Sequence, residues 1–121
     1  MKFENFYLTC IAIIICVYIT FAPNIEAYDA EVSLDLHACS CKIWVENSTH
    51  YRIGGDGPND YYDCSSGNDL KKINFPNETF WVHAKVLDSL RQEKIRGPFD
   101  SKTCLRIHGY LDRWYFDAWS C

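Results

Sequence analysis

Residues 79–87, TFWVHAKVL, decide the fold, because they can form either a strand or part of a helix. A strand separates an apolar face from a mixed one: Phe80, Val82, Ala84 and Val86 against Trp81, His83 and Lys85. A helix begun at Asn77 and ended before Gly97-Pro98 would spread its apolar residues around most of its circumference, which is untypical of a surface helix. We therefore predict a strand over 79–87 and a short helix over 88–95.

Strands are also predicted on the N-terminal side of this stretch. Residues 39–45, CSCKIWV, alternate so that one face holds only apolar or sulfur-containing side chains: Cys39, Cys41, Ile43 and Val45. Residues 28–36 alternate less completely and form a weaker strand. Residues 54–67 are dense in Gly, Pro, Asn and Asp, and they predict a loop.

The C-terminal part predicts a further strand and a helix. Residues 103–108 form a short strand or an extended lead-in, while Leu111, Trp114, Tyr115 and Ala118 recur at helical spacing. We expect a closing helix whose aromatic residues pack as core. The predicted fold class is α+β, a small disulfide-stabilised antiparallel sheet with one or two short helices.

The first 27 residues have the form of a signal peptide. Lys2 precedes an apolar run over 10–22, which is shorter than the about 20 residues of a spanning helix and is broken by Pro23. Ile25 and Ala27 favour cleavage after Ala27, with cleavage after Ala22 as the alternative. We predict a single secreted α+β domain over 28–121, with no membrane attachment after cleavage.

Charge argues against two classes of partner. The chain has a net charge of −4, and removing residues 1–27 takes away Lys2, Glu4 and Glu26, which leaves about −3. Nucleic acid and anionic membranes are therefore unfavoured partners. Five cations lie close in sequence and are interpreted as a solvated face: Arg91, Lys94, Arg96, Lys102 and Arg106.

Five cysteines remain in the predicted mature chain: Cys39, Cys41, Cys64, Cys104 and Cys121. In an oxidising compartment they predict structural bridges, at most two within the chain, with one thiol left over that could join two chains. Cys39 and Cys41 point to one strand face, so we expect both to bridge later cysteines. A bridge to Cys121 would close a loop of about 80 residues and contribute about 4 kcal/mol. A zinc site is disfavoured, since no C-x-x-C pair is present.

Two sequons predict N-glycosylation: Asn47-Ser48-Thr49 and Asn77-Glu78-Thr79. If the organism is eukaryotic, Asn47 and Asn77 should lie on exposed loops or strand ends.

Candidate catalytic chemistry is weak. A ribonuclease needs a histidine, a second base and a cation, and His50, Glu78, His83 and His108 could supply the first two. Their spacing selects none of them, and His83 is expected on a solvent-facing strand surface. The group Asp56, Asn59, Asp60 and Asp63 departs from the calcium-loop pattern and indicates an acidic turn. No metal or cofactor is predicted.

Aromatic residues supply the candidate interaction surface. Six could stack on a sugar or a protein partner: Trp44, Tyr61, Tyr62, Trp81, Trp114 and Trp119. Trp44 and Trp81 lie on the faces opposite the predicted core, so they are expected to be exposed. A carbohydrate-binding module that uses these two residues is one alternative function.

A family resemblance rests on the order Ala38-Cys39-Ser40-Cys41, Asp60, Cys64, Cys104-Leu-Arg-Ile107-His-Gly109, Phe116 and Cys121. It resembles small cysteine-rich secreted proteins of filamentous fungi, which are effector-like or killer-toxin-like. The resemblance implies a compact α+β sandwich and no catalytic residues. The chain departs from the pattern at Ser65, where many members carry a cysteine that pairs with the one before it, and this departure would account for the odd cysteine.

These observations favour a non-enzymatic secreted interaction protein, a fungal effector acting on a host or competitor target. Its partner would be an extracellular or host protein or a glycan. A secreted ribonuclease-like hydrolase is the other alternative.

Overall fold

The computed structural model describes residues 27–67 and 70–121. Within these ranges the chain forms nine strands and no helix. The predicted α+β class is therefore wrong, and the described chain is an all-β sandwich. The predicted signal peptide lies outside the described residues, apart from Ala27, which begins the first strand.

The strands are, in chain order, β1 (Ala27–Leu36), β2 (Ser40–Asn47), β3 (Arg52–Gly55), β4 (Tyr62–Asp63), β5 (Lys71–Pro76), β6 (Phe80–Val86), β7 (Lys94–Phe99), β8 (Thr103–Tyr110) and β9 (Arg113–Ala118). Sheet A has the order β5-β1-β8-β9, and sheet B has the order β3-β2-β6-β7, with β4 also pairing with β2. None of the described residues belongs to a helix long and apolar enough to cross a membrane.

Sheet A is not the purely antiparallel sheet that the sequence predicts. Its two central strands, β1 and β8, run parallel, from Ala30 opposite Thr103 to Leu36 opposite Gly109. The other pairs in both sheets are antiparallel. A parallel pair needs a long crossover connection, and here strands β2–β7 supply it.

The core lies between the sheets and follows the period-2 alternation of the strands. From sheet B it takes the two faces predicted to be buried: Cys41, Ile43 and Val45 on β2, and Phe80, Val82, Ala84 and Val86 on β6. Sheet A contributes the alternate residues of β1, β5, β8 and β9, which include Leu34, Phe75, Ile107, Trp114 and Phe116. The side chains on the outer face of each sheet lie outside this core.

Neither predicted helix is present. Residues 88–95 form a turn and the start of β7, an edge strand, where Gly97 and Pro98 are tolerated because the outer side of the strand needs no partner. In the closing segment, Trp114 and Phe116 alternate inward with period 2, and Tyr110 opposite Arg113 closes a hairpin. The helical spacing of residues 111–118 fits a strand equally well, and pairing with β8 decides between the two.

Two disulfides are present, as predicted, and they join Cys41 to Cys64 and Cys104 to Cys121. Cys39 is unpaired, so the expectation that it bridges a later cysteine is wrong. The bridges close separations of 23 and 17 residues, not about 80. The pairing of β4 with the start of β2 places Tyr62 opposite Cys41, and this brings Cys64 within reach.

Candidate functional site

The outer face of sheet B carries polar and aromatic side chains that the core does not use. Trp44 on β2 lies directly opposite His83 on β6, and their rings stack with centroids 5.1 Å apart. Trp44 is 6% exposed and His83 is also 6% exposed. This stacked pair forms the floor of the candidate site.

Two carboxylates hold His83 in place. Its Nδ1 lies 3.2 Å from Glu93 Oε2, and its Nε2 lies 3.5 Å from Glu46 Oε2. The Trp44 indole N–H donates to the same Glu46 oxygen at 2.6 Å. The predicted solvent-facing position of His83 is therefore wrong, because the alternation places it on the outer face and its neighbours then cover it.

A larger cleft, about 420 Å³, opens on one side of the stacked pair. Its lining residues are Lys42, Trp44, Tyr61, Lys85, Gln92 and Glu93. Lys42 donates to the Pro58 carbonyl at 2.7 Å, and Lys85 donates to the Arg91 carbonyl. The β3–β4 loop and the β6–β7 loop thus each fix one of the two ammonium groups.

A smaller cleft, about 180 Å³, lies on the other side of the pair. Glu46, Asn47, His50, Trp81, His83 and Ile95 line it. Trp81 is partly exposed, and it lies close over β7 because Gly97 has no side chain there: a Cβ at Gly97 would lie 2.7 Å from Trp81 Cδ1.

The two predicted interaction residues differ in accessibility. Trp44 lies on the outer face, as the alternation indicates, but His83, Lys42 and Arg52 pack around its ring and leave little of it open. Trp81 keeps an accessible surface in the smaller cleft. The alternation identified the face, but the expectation that Trp44 is exposed is wrong, because neighbouring side chains cover its ring.

Both sequons lie at strand ends. Asn47 ends β2, and its Oδ1 accepts hydrogen bonds from the Thr49 N–H, the Thr49 hydroxyl and the Tyr51 N–H. Asn77 follows β5 on an exposed turn, where the Thr79 hydroxyl donates to Asp100.

Ion pairs and backbone contacts divide the predicted basic face. Arg96 pairs with Asp117, Lys102 with Glu31, and Arg106 with Asp35. Lys94 donates to the Trp114 carbonyl, and burial, followed by the charges of Arg96 and Arg91, lowers the pKa of its ammonium. Arg91 donates to the Asp112 carbonyl. These residues therefore form no continuous cationic patch.

The acidic loop is organised by the protein itself. Asp56 accepts from the Ile43 N–H and pairs with Lys71 at 2.8 Å, while Asp60 accepts from the Gly57 N–H. Asn59 is exposed beside Asp60, and Asp63 lies on β4. In the part of the chain that the structure describes, no group of three or more His, Cys, Asp or Glu side chains is placed to hold a metal ion.

The other candidate residues lie apart from this face. His108 stacks on Tyr115 and contacts Asp117 on the outer face of sheet A, and Trp119 lies under Arg106 there. Glu78 is exposed on the turn after β5. Trp114 is core, as predicted, and Tyr62 packs against the core beneath Lys71.

No protein-family model matches the chain, and no match was found to a curated protein or to a solved structure.

Proposed function

We propose that the protein is a secreted, non-enzymatic interaction protein, an effector-like molecule that binds a host or competitor target through the outer face of sheet B. The proposed partner is an extracellular or host protein or a glycan. Two disulfides in a small sandwich support this reading, because such bridges persist in oxidising compartments.

The observation that carries the proposal is the pair of clefts on either side of Trp44 and His83. Their floor is held by stacking, by hydrogen bonds to Glu46 and by cations over the indole ring. A rigid polar and aromatic face of this kind suits recognition, since its side chains lose little freedom when a partner binds.

The compartment is tested by expressing the full chain in a eukaryotic secretory host and weighing the product, with and without reduction. We expect a chain beginning near Tyr28 with two bridges and one thiol, together with glycan mass at occupied sequons. Retention in the cell with residues 1–27 still attached would contradict secretion.

Partner binding is tested on a panel of secreted and cell-surface ectodomains and glycans. Trp81→Ala should weaken capture of the partner, whereas Tyr115→Ala should not, because Tyr115 is an exposed aromatic residue on the outer face of sheet A. Equal effects of the two substitutions would contradict the assignment of the face.

A second candidate function, RNA cleavage, is favoured by one observation: the smaller cleft brings His50, His83 and Glu46 together. Paired bases of this type can move protons to and from a 2′-hydroxyl and a leaving oxygen. Purified protein is incubated with RNA and compared with His50→Ala, His83→Ala and His108→Ala. Cleavage lost in the first two variants and kept in the third would replace the binding proposal.

A further inference from the structure

Two lysines face each other on the outer face of sheet B. Lys42 on β2 and Lys85 on β6 are directly opposed in the antiparallel ladder. Directly opposed side chains have Cβ atoms about 5 Å apart, and like charges at such positions destabilise a sheet. The two side chains therefore start next to each other, and their ammonium groups are bound to the carbonyls of Pro58 and Arg91.

No carboxylate within residues 27–67 and 70–121 pairs with either ammonium. Lys71, Lys72 and Lys102 each have an acidic partner. Glu93 lines the same cleft, but it contacts His83. Each of the two ammonium groups gives one hydrogen bond to a backbone carbonyl, and an ammonium has three donors. Donors therefore remain available at the cleft for an anion.

We propose that the Lys42–Lys85 pair and the larger cleft bind the anionic group of an acidic saccharide. A carboxylate or sulfate in the cleft would accept charge-assisted hydrogen bonds from the free donors of both ammonium groups. The cleft volume, about 420 Å³, lies in the usual range for small-molecule sites, about 300–1,000 Å³.

The remainder of the cleft favours a hydroxyl-rich ligand over a flat aromatic one. Tyr61, Gln92 and Glu93 offer donors and acceptors for sugar hydroxyls. The Lys42 ammonium lies 5.1 Å from the Trp44 ring centroid and 5.2 Å from that of Tyr61. This cation lies over one face of each ring, and a stacked nucleobase would have to displace it there.

The test is isothermal titration of the purified protein at low ionic strength with four probes. These are an unsulfated uronate disaccharide, a sulfated heparin disaccharide, the neutral disaccharide maltose, and adenosine monophosphate. At least one acidic disaccharide should bind about a hundredfold tighter than maltose, since each of two charge-assisted hydrogen bonds contributes about tenfold. The two acidic probes show whether carboxylate or sulfate is preferred. Equal binding of maltose, or tighter binding of the nucleotide than of both acidic sugars, overturns the proposal.

Variants of the two lysines give the decisive comparison. Lys42→Gln and Lys85→Gln should each weaken binding of the acidic disaccharide about tenfold, whereas Lys72→Gln, on the outer face of sheet A, should leave it unchanged. Lys85→Glu should abolish binding, because it replaces a cation of the site with an anion. Affinity unchanged in both glutamine variants overturns the proposal.

The inference rests on the proposed function for the choice of face. The inference and the proposed function are tested independently, because titration with soluble saccharides requires neither secretion nor a protein partner. If the saccharides fail while Trp81 remains necessary for partner capture, only the inference is lost.

Discussion

At the scale of single residues, Asp35 and Arg106 give the clearest pH dependence. The Arg106 Nε–H donates to Asp35 Oδ2 at 2.7 Å across the parallel β1–β8 pair, and this hydrogen bond lowers the pKa of the Asp35 carboxyl. A lowered folded-state pKa stabilises the fold above the unfolded pKa of about 3.9, and the contribution is lost as the pH falls through the folded value.

Asp35→Asn should therefore reduce stability at pH 7 and should have no such effect at a pH below the folded pKa. Both side chains are 32% exposed, so screening limits the loss to about 1 kcal/mol or less. Urea unfolding at a series of pH values from 7 downward measures this loss, and Arg106→Gln is the matched variant. If the double variant loses the sum of the two single effects at pH 7, the two residues are not coupled.

Cys39 should be chemically inert in the folded protein. Its side chain is buried, its Sγ–H donates to the His37 carbonyl, and desolvation followed by the charge of Asp112 raises the pKa of the thiol. A raised pKa leaves less thiolate at any pH below it, and the thiolate is the reactive form.

Iodoacetamide at pH 8 should therefore leave Cys39 unmodified in the native protein and should label Cys39 in denaturant without reductant. Mass spectrometry after digestion locates the label. Rapid labelling of Cys39 in the native state would contradict the buried position, and it would also restore the possibility of a dimer linked through this residue.

At the scale of elements, Gly97 lets β7 lie beneath Trp81. Gly97 and Gly67 both have positive φ, at 149° and 92°, so alanine at either position introduces backbone strain of about 1–2 kcal/mol. A Cβ at Gly97 would also lie 2.7 Å from Trp81 Cδ1 and 2.9 Å from the Phe80 carbonyl oxygen, whereas one at Gly67 meets nothing within 4 Å.

Gly97→Ala should consequently destabilise the protein more than Gly67→Ala, by about 1–3 kcal/mol of added overpacking. Chemical unfolding gives the stability difference, and Trp fluorescence reports displacement of the Trp81 ring. Equal losses in the two variants would show that Trp81 moves aside at no cost, and that the smaller cleft is deformable.

The strands that could be predicted are those whose alternation separates a fully apolar face from a mixed one. β2 and β6 meet this condition, so their buried faces were predicted correctly. The weaker strand over 28–36 and the short strand over 103–108 are also present, as β1 and β8. The segment that forms β9 does not meet this condition. Trp114 and Phe116 fit the period of a strand, but Leu111, Trp114 and Ala118 also fit the spacing of a helix. Pairing with β8 decides the outcome, and one local stretch of sequence carries no information about its partner strand.

The same limit applies to the candidate site. Alternation predicted that Trp44, Trp81 and His83 share the outer face. It gave no strand register, so the stacking of Trp44 on His83 and the opposition of Lys42 to Lys85 could not be foreseen. Like-charged lysines on two alternating strands were the available signal, and they become informative only when the strands are paired.

At the scale of the whole molecule, the central pairing of sheet A joins distant parts of the chain. Leu36 ends β1 and Thr103 begins β8, so about 66 residues must be closed into a loop before these strands can pair. Sandwiches dominated by such non-local pairs fold in milliseconds to seconds. We expect β1–β8 docking to be the step that limits folding.

The two disulfides test this expectation, because only one lies within that loop. The Cys41–Cys64 bridge shortens the loop to about 44 residues, whereas Cys104–Cys121 leaves it unchanged. The free-energy cost of closing a loop of n residues varies as (3/2)RT ln n. Shortening the loop from about 66 to about 44 residues should therefore speed folding about twofold. Each bridge is expected to stabilise the protein by about 3 kcal/mol. When a bridge is removed, most of this stability loss should appear as faster unfolding.

The prediction is that Cys41→Ala with Cys64→Ala slows refolding about twofold, while Cys104→Ala with Cys121→Ala leaves the refolding rate nearly unchanged. Stopped-flow tryptophan fluorescence follows both reactions over a range of urea concentrations. Equal slowing in the two double variants would indicate that the β8–β9 hairpin forms in the limiting step. An unchanged rate in the first would place β1–β8 docking after that step, because loop length could then have no effect on it.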